Sequence, residues 1–303
     1  MDIVDLQLHE PAPFMEWEDV GASVRRRVLT ESMLQSLDTI GANAAVLYPL
    51  EDAEWADELA ALYPERFATV VNLGRGDRQG LKIDSPELEQ DILSARSRGL
   101  VGVRVMINPQ IAPEAAEVFL SGAFDRALAL CEQLEMPLFI FGSGRLDAIE
   151  RTARAFPELQ LVIDHMGLPQ PPYEQPDSPW SKAVPELVSL SAFPNVAIKM
   201  CCPTVFSDEA YPFSDVWPHV ERIIDAYGVD RVAWASDIGR FRGRIGWNIR
   251  LPVAADGDYP GKHTHMDSLA FFLYNEHLSP SEKAAVLGGT ARKILNWPMR
   301  TRP

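Results

Sequence analysis

Short apolar runs recur along the chain: Ile3–Leu8, Ala44–Tyr48, Ala68–Leu73, Val101–Ile107, Pro137–Phe141, Leu159–Asp164, Val196–Met200 and Val232–Ala235. They are rich in Val, Ile, Leu and Phe and do not alternate with polar residues. That is the pattern of parallel strands covered on both faces. The segments between them carry helix signals. Ser85 and Pro86 suit the N-cap and first position of a helix running to Gly99. Val216, Trp217, Val220, Ile223, Ile224 and Tyr227 share one helical face that stops at Gly228. Ser279-Pro-Ser-Glu282 reads as a capping box opening a last helix toward Leu295. Eight strand–helix units in about 240 residues predict an α/β fold of the (β/α)8 barrel type. A doubly wound open sheet is the alternative, but no G-x-G-x-x-G follows the first strand. One domain over 1–303 is expected, with long loops at Pro169–Trp180 and Arg240–His265, after the sixth and eighth strands.

In such a barrel the active site lies at the C-terminal ends of the strands, so polar residues there are informative. The first strand closes Asp5-Leu-Gln7-Leu-His9, whose two-residue period puts Asp5, Gln7 and His9 on one face. The fourth carries Arg104, the sixth ends Asp164-His165, the seventh contains Lys199 and the eighth ends Ser236-Asp237. A lone strand-end His or Asp is often a structural hydrogen bonder, and Lys199 alone could simply leave for solvent. Five such groups converging on one rim argue for a site, because polar groups in apolar strands are costly without a purpose. Other signals are weaker. His219 lies off the apolar face of its helix and reads as solvated, and His277 as a surface or capping group. His263 and His265 are divided between a substrate contact and a role in the fold. Gly142-Ser-Gly-Arg145 is a weak phosphate-cradle motif.

Charge narrows the partners. With 28 Lys and Arg against 43 Asp and Glu the net charge is −15, unfavourable for nucleic acid or an anionic membrane. The expected partner is a small molecule, and an anionic one must be met by local Arg or Lys. Cys131, Cys201 and Cys202 are too few for a disulfide framework. A cytoplasmic protein is expected, with no membrane span or signal segment.

These residues resemble the motifs of the amidohydrolase superfamily, in the amidohydrolase-related branch that includes sugar lactonases, 2-pyrone-4,6-dicarboxylate lactonase and some nonoxidative decarboxylases. Asp5-Leu-Gln7-Leu-His9 is similar to the family's D-x-H-x-H, Gly102-Val-Arg104 to its G-V-R, and Asp164-His165-Met-Gly167 to its D-H-x-G. Phe193-Pro-Asn-Val-Ala-Ile-Lys199, Asp230-Arg-Val-Ala-Trp-Ala-Ser236-Asp237 and Gly288-Gly-Thr-Ala-Arg292 resemble later family motifs in family order, from residue 2 to about 297. The resemblance implies the barrel, a catalytic rim and a homodimer.

It does not carry the family's metal across. The leading His of H-x-H is Gln7 here, and Phe141 stands where a fifth-strand His would be a ligand. His9 and Asp237 alone are too few for a catalytic divalent ion, so no metal cofactor is expected. A metal-free lactonase would need a carboxylate base. The expectation is a hydrolase opening a carboxylated or poly-oxygenated lactone or ester. Asp237 would be its base, His165 and His9 would assist, and Gln7, Arg104, Lys199 and Arg240 would bind the substrate. The alternatives are a nonoxidative decarboxylase of an aromatic acid and a binding protein on a decayed barrel.

Overall fold

The computed structural model describes residues 1–10, 21–49, 52–74, 80–109, 112–169, 179–237, 249–250, 258–259 and 263–297. Arg240 and most of both long loops lie outside the described residues.

The eight predicted strands are present as β1 (Val4–Leu8), β2 (Ala44–Leu47), β3 (Phe67–Gly74), β4 (Leu100–Met106), β5 (Leu138–Phe141), β6 (Leu161–Ile163), β7 (Val196–Cys201) and β8 (Val232–Ala235). Each is parallel to the next, so spatial order equals chain order. A doubly wound sheet would reverse its order at a switch point; this one never does. The sheet bends round until β8 returns to β1. At that seam the Asp237 amide donates to the Gln7 carbonyl at 3.1 Å, and the Ser236 amide donates to Asp5 Oδ1 at 2.8 Å. The result is a nearly closed (β/α)8 barrel. Two small additions carried no signal because they are so short. Gly80–Lys82 extends the sheet beside the end of β3, and Ile249–Arg250 pairs with Asp258–Tyr259.

The helices follow the apolar faces. Trp217–Tyr227 buries Trp217, Val220, Ile223, Ile224 and Tyr227, the predicted stripe. The helix expected from Pro86 begins instead at Leu88 and ends at Ser97. Ser85 caps a preceding turn: its hydroxyl accepts from the Glu87 amide and donates to Asp91. The Ser279 capping box forms as read, with Ser279 Oγ accepting from the Glu282 amide and Glu282 accepting from Ser279.

After that box the chain widens into a π-helical turn, Ala285–Gly289. The turn packs on the start of β1 so closely that a Cβ on Gly288 would lie 2.2 Å from the Asp2 carbonyl oxygen. Both partners there are backbone, so nothing can rotate away. Gly288→Ala is expected to lower stability by at least the roughly 1–3 kcal/mol of ordinary overpacking. Gly289→Ala meets only Ala284 O at 3.4 Å and serves as the control. Equal urea midpoints for the two variants would show that β1 does not need this approach.

Candidate active site

The C-terminal ends of the strands carry two polar groups, one above the other. The upper is centred on Asp237, which is 4% exposed. Its Oδ1 accepts from Gln7 Nε2 at 3.1 Å and lies 3.1 Å from His9 Nε2. Gln7 Nε2 is itself 3.1 Å from His9 Nε2. One proton can be assigned. His9 Nδ1 is 2.7 Å from the Tyr48 carbonyl, which only accepts, so Nδ1 carries the hydrogen. Nε2 lies 3.1 Å from both Gln7 Nε2 and Asp237 Oδ1, so the three side chains meet in one triangle. Asp237 Oδ2 faces His165 Nε2 at 4.0 Å. His165 is held edge-on by the Phe141 ring, centroids 5.0 Å apart.

The lower group is an ion cluster inside the barrel. Asp164 accepts from Arg104 Nε at 2.6 Å through one oxygen, and Lys199 Nζ lies 2.7 Å from the other. Burial alone would raise the Asp164 carboxyl, but Lys199 and Arg104 outweigh it and hold it below its ordinary value. Burial pulls the Lys199 ammonium down from its ordinary value, with Asp164 opposing the fall. Aromatic rings complete the enclosure: Lys199 Nζ sits 4.3 Å from the Tyr48 ring centroid, and Arg104 packs against Tyr48 and Phe141. Lys199 is fully buried, so it does not leave for solvent. The Arg104 side chain keeps 8% exposure.

Local backbone geometry aims the upper group. His165, Cys202 and Asp237 all have positive φ, at 51°, 41° and 46°. Each lies at or just past the end of a strand, where a left-handed residue turns its side chain out of the strand's alternation. Such residues cost about 1–3 kcal/mol each and persist where the surroundings fix them, commonly at functional sites. The reversal at Cys202 brings its thiol beside that of Cys201. Donor atoms of His165, Cys201, Cys202 and Asp237 all lie within 4.8 Å of one another. Burial pushes the Cys201 thiol well above its ordinary value, with Cys202 and Asp237 adding to the rise.

The amidohydrolase family model matches residues 4–297. The chain belongs to the amidohydrolase family. It is 30% identical over 149 residues to L-fucono-1,5-lactonase of Burkholderia ambifaria, a match covering 48% of this chain and 44% of that relative's length. Among solved structures, an amidohydrolase from Burkholderia multivorans with bound zinc superposes with a TM-score of 0.70 at 18% identity, covering 98% of this chain and 100% of that one. A candidate 2-pyrone-4,6-dicarboxylic acid hydrolase from Pseudomonas putida superposes at 0.66 with 16% identity, covering 99% of each.

The first-strand metal pattern of this amidohydrolase does not fit an ion. The Gln7 amide nitrogen, a donor, is the group shared by His9 and Asp237, and the fifth-strand position is the apolar ring of Phe141. The ligand inventory drawn from the sequence was nevertheless too short, because it left out the two thiols. The remaining candidates have local partners. His265 Nε2 donates to Asp5 Oδ2 at 3.0 Å, and His263 Nε2 to the Thr204 carbonyl at 2.6 Å. Each bond gives its histidine a role in the fold. His219 is not simply solvated but stacks on Trp180, centroids 4.9 Å apart. Arg145, of the phosphate-cradle motif, is paired with Asp147 and Glu117.

Proposed function

We propose that the protein hydrolyses the ester bond of a small lactone bearing hydroxyl or carboxylate groups, with Asp237 as general base. The observation that carries this reading is the aim of Asp237: Gln7 binds one carboxylate oxygen while the other faces His165 at 4.0 Å. That gap is too long for a hydrogen bond and suits two groups sharing one water. Asp237 takes a proton from the water, whose oxygen adds to the lactone carbonyl. His165 donates to the carbonyl oxygen as charge develops there. The ring oxygen then leaves with the proton, giving a hydroxy acid. Gln7 Oε1 is buried without a partner among the described residues, an acceptor suited to a substrate hydroxyl. In this reading Arg104 meets a substrate carboxylate, supported by its ion pair with Asp164, which Lys199 shares. The relatives' chemistry agrees with this class of substrate.

Each ring opened releases one acid equivalent, so pH-stat titration tests the reading directly. L-Fucono-1,5-lactone and 2-pyrone-4,6-dicarboxylate are the first probes, followed by other sugar lactones. Turnover of a lactone above the spontaneous rate is expected. Release of CO2 from aromatic acids, with no lactone opened, would replace the reading by the decarboxylase one. Tight binding of lactones without turnover would replace it by the binding protein.

A further inference from the structure

We infer that Cys201, Cys202, His165 and Asp237 form a zinc site at the barrel rim, and that filling it takes the base out of use. The inhibitory half rests on the role proposed for Asp237; the binding half does not.

Geometry is the first ground. The donors come from the ends of three neighbouring strands, β6, β7 and β8, and all four side chains are buried. Zinc binds S, N and O donors at about 2.0–2.3 Å in a tetrahedron, which spaces its ligands roughly 3–4 Å apart. Donors already within 4.8 Å of one another reach that spacing by side-chain rotation, with no strand displaced. The pairing of thiols is also not an accident of sequence. Successive residues of a strand point to opposite faces, and the positive φ of Cys202 cancels that alternation. Its amide remains tied to the Ala235 carbonyl at 3.1 Å, so the turn is anchored in the sheet.

Donor chemistry and charge are the second ground. Two thiolates with an imidazole favour zinc over magnesium or calcium. Binding is balanced by the release of two thiol protons to solvent. A Zn2+ ion with two thiolates and one carboxylate carries one net negative charge. Directly below, Arg104 and Lys199 against Asp164 carry one net positive charge, and Lys199 lies near enough for its charge to act on Cys201. The two buried groups therefore neutralise each other. This set shares only Asp237 with the first-strand pattern: His9 Nδ1 is held by the Tyr48 carbonyl, and its Nε2 approaches Asp237 from the Gln7 side. Four protein donors close the coordination sphere, leaving no position for a reacting water.

The test uses the full chain, stripped of metal and then titrated with Zn2+ or Co2+. One equivalent of zinc should bind, and cobalt should give the thiolate-to-metal charge-transfer band of sulfur ligation. The double variant Cys201→Ser/Cys202→Ser should lose more than the roughly 10–100-fold in affinity that loss of an outer-shell partner costs. His9→Ala should bind zinc as the parent does. Lactone turnover should fall as zinc saturates and return on chelation. Cobalt binding without the charge-transfer band overturns the site, and that result needs no variant to fold. So does metal loss in His9→Ala with retention in the double variant, or no binding at micromolar zinc. Activation by zinc would overturn the closed, inhibitory arrangement. Failure to find any lactone turned over leaves the binding and spectral results to decide the site alone.

Discussion

The Asp237→Asn protein is expected to fold like the parent and to open its lactone about 10²–10⁴-fold more slowly, the usual worth of a positioned base. Asparagine keeps the volume and can still accept from Gln7 Nε2 through its carbonyl oxygen, so the seam between β1 and β8 survives. What it loses is the ability to take a proton from water. The deficit should therefore fall on kcat, with KM nearly unchanged. Matched thermal melts are the control for folding. A parent-like kcat would remove Asp237 from the chemistry, while a loss confined to KM would make it a binding group.

Asp164→Asn is expected to cost more stability than any other single change at the rim. It strands the Arg104 and Lys199 cations in a space where Lys199 has no exposure. Removing one partner of a buried ion cluster costs about 3–5 kcal/mol, because the remaining charges keep their desolvation penalty uncompensated. Lys199→Met should cost clearly less, since the Arg104–Asp164 pair at 2.6 Å remains intact. Adding Lys199→Met to Asp164→Asn should recover part of the loss. Urea midpoints of the four proteins give the comparison, and an Asp164→Asn midpoint equal to the parent's would refute the ion-cluster argument. The same group makes stability depend on acid. The Asp164 carboxyl is depressed in the folded state. Its contribution is therefore complete above the ordinary carboxylate value and is lost as pH falls through the lower, folded one.

The barrel was legible because its strands are short apolar runs with helix caps and stops between them. The upper polar group was legible for a related reason: Gln7, His9, His165 and Asp237 interrupt or end runs that are otherwise apolar. Depth was not legible. Strand-end position marks the rim but not the layer within it, so Lys199 and Arg104 read alike although Lys199 alone has no exposure. Asp164 read as a rim carboxylate, yet it is the counter-charge for both. Tyr48, which takes the Lys199 ammonium on its ring, gave only the signal of an aromatic residue closing a strand. The thiol pair was hidden by alternation: adjacent strand residues should diverge, and nothing in Cys201-Cys202-Pro203 announces a left-handed turn. Helix starts were limited in the same local way, as at Ser85, which opens a turn two residues early.

The seam where β8 meets β1 has a consequence for how the molecule is assembled. Gln7 and Asp237 stand 230 residues apart in the chain, yet their backbones are joined across it. Contacts of such long sequence separation bear the largest loop-closure entropy and tend to form late in folding. Docking of the last strand is thus the event that brings Asp237 to Gln7, and a half-barrel fragment cannot contain that contact. Exchange of the Ser236 and Asp237 amide hydrogens consequently reports on whether the ring is shut, and with it on whether the upper polar group is assembled.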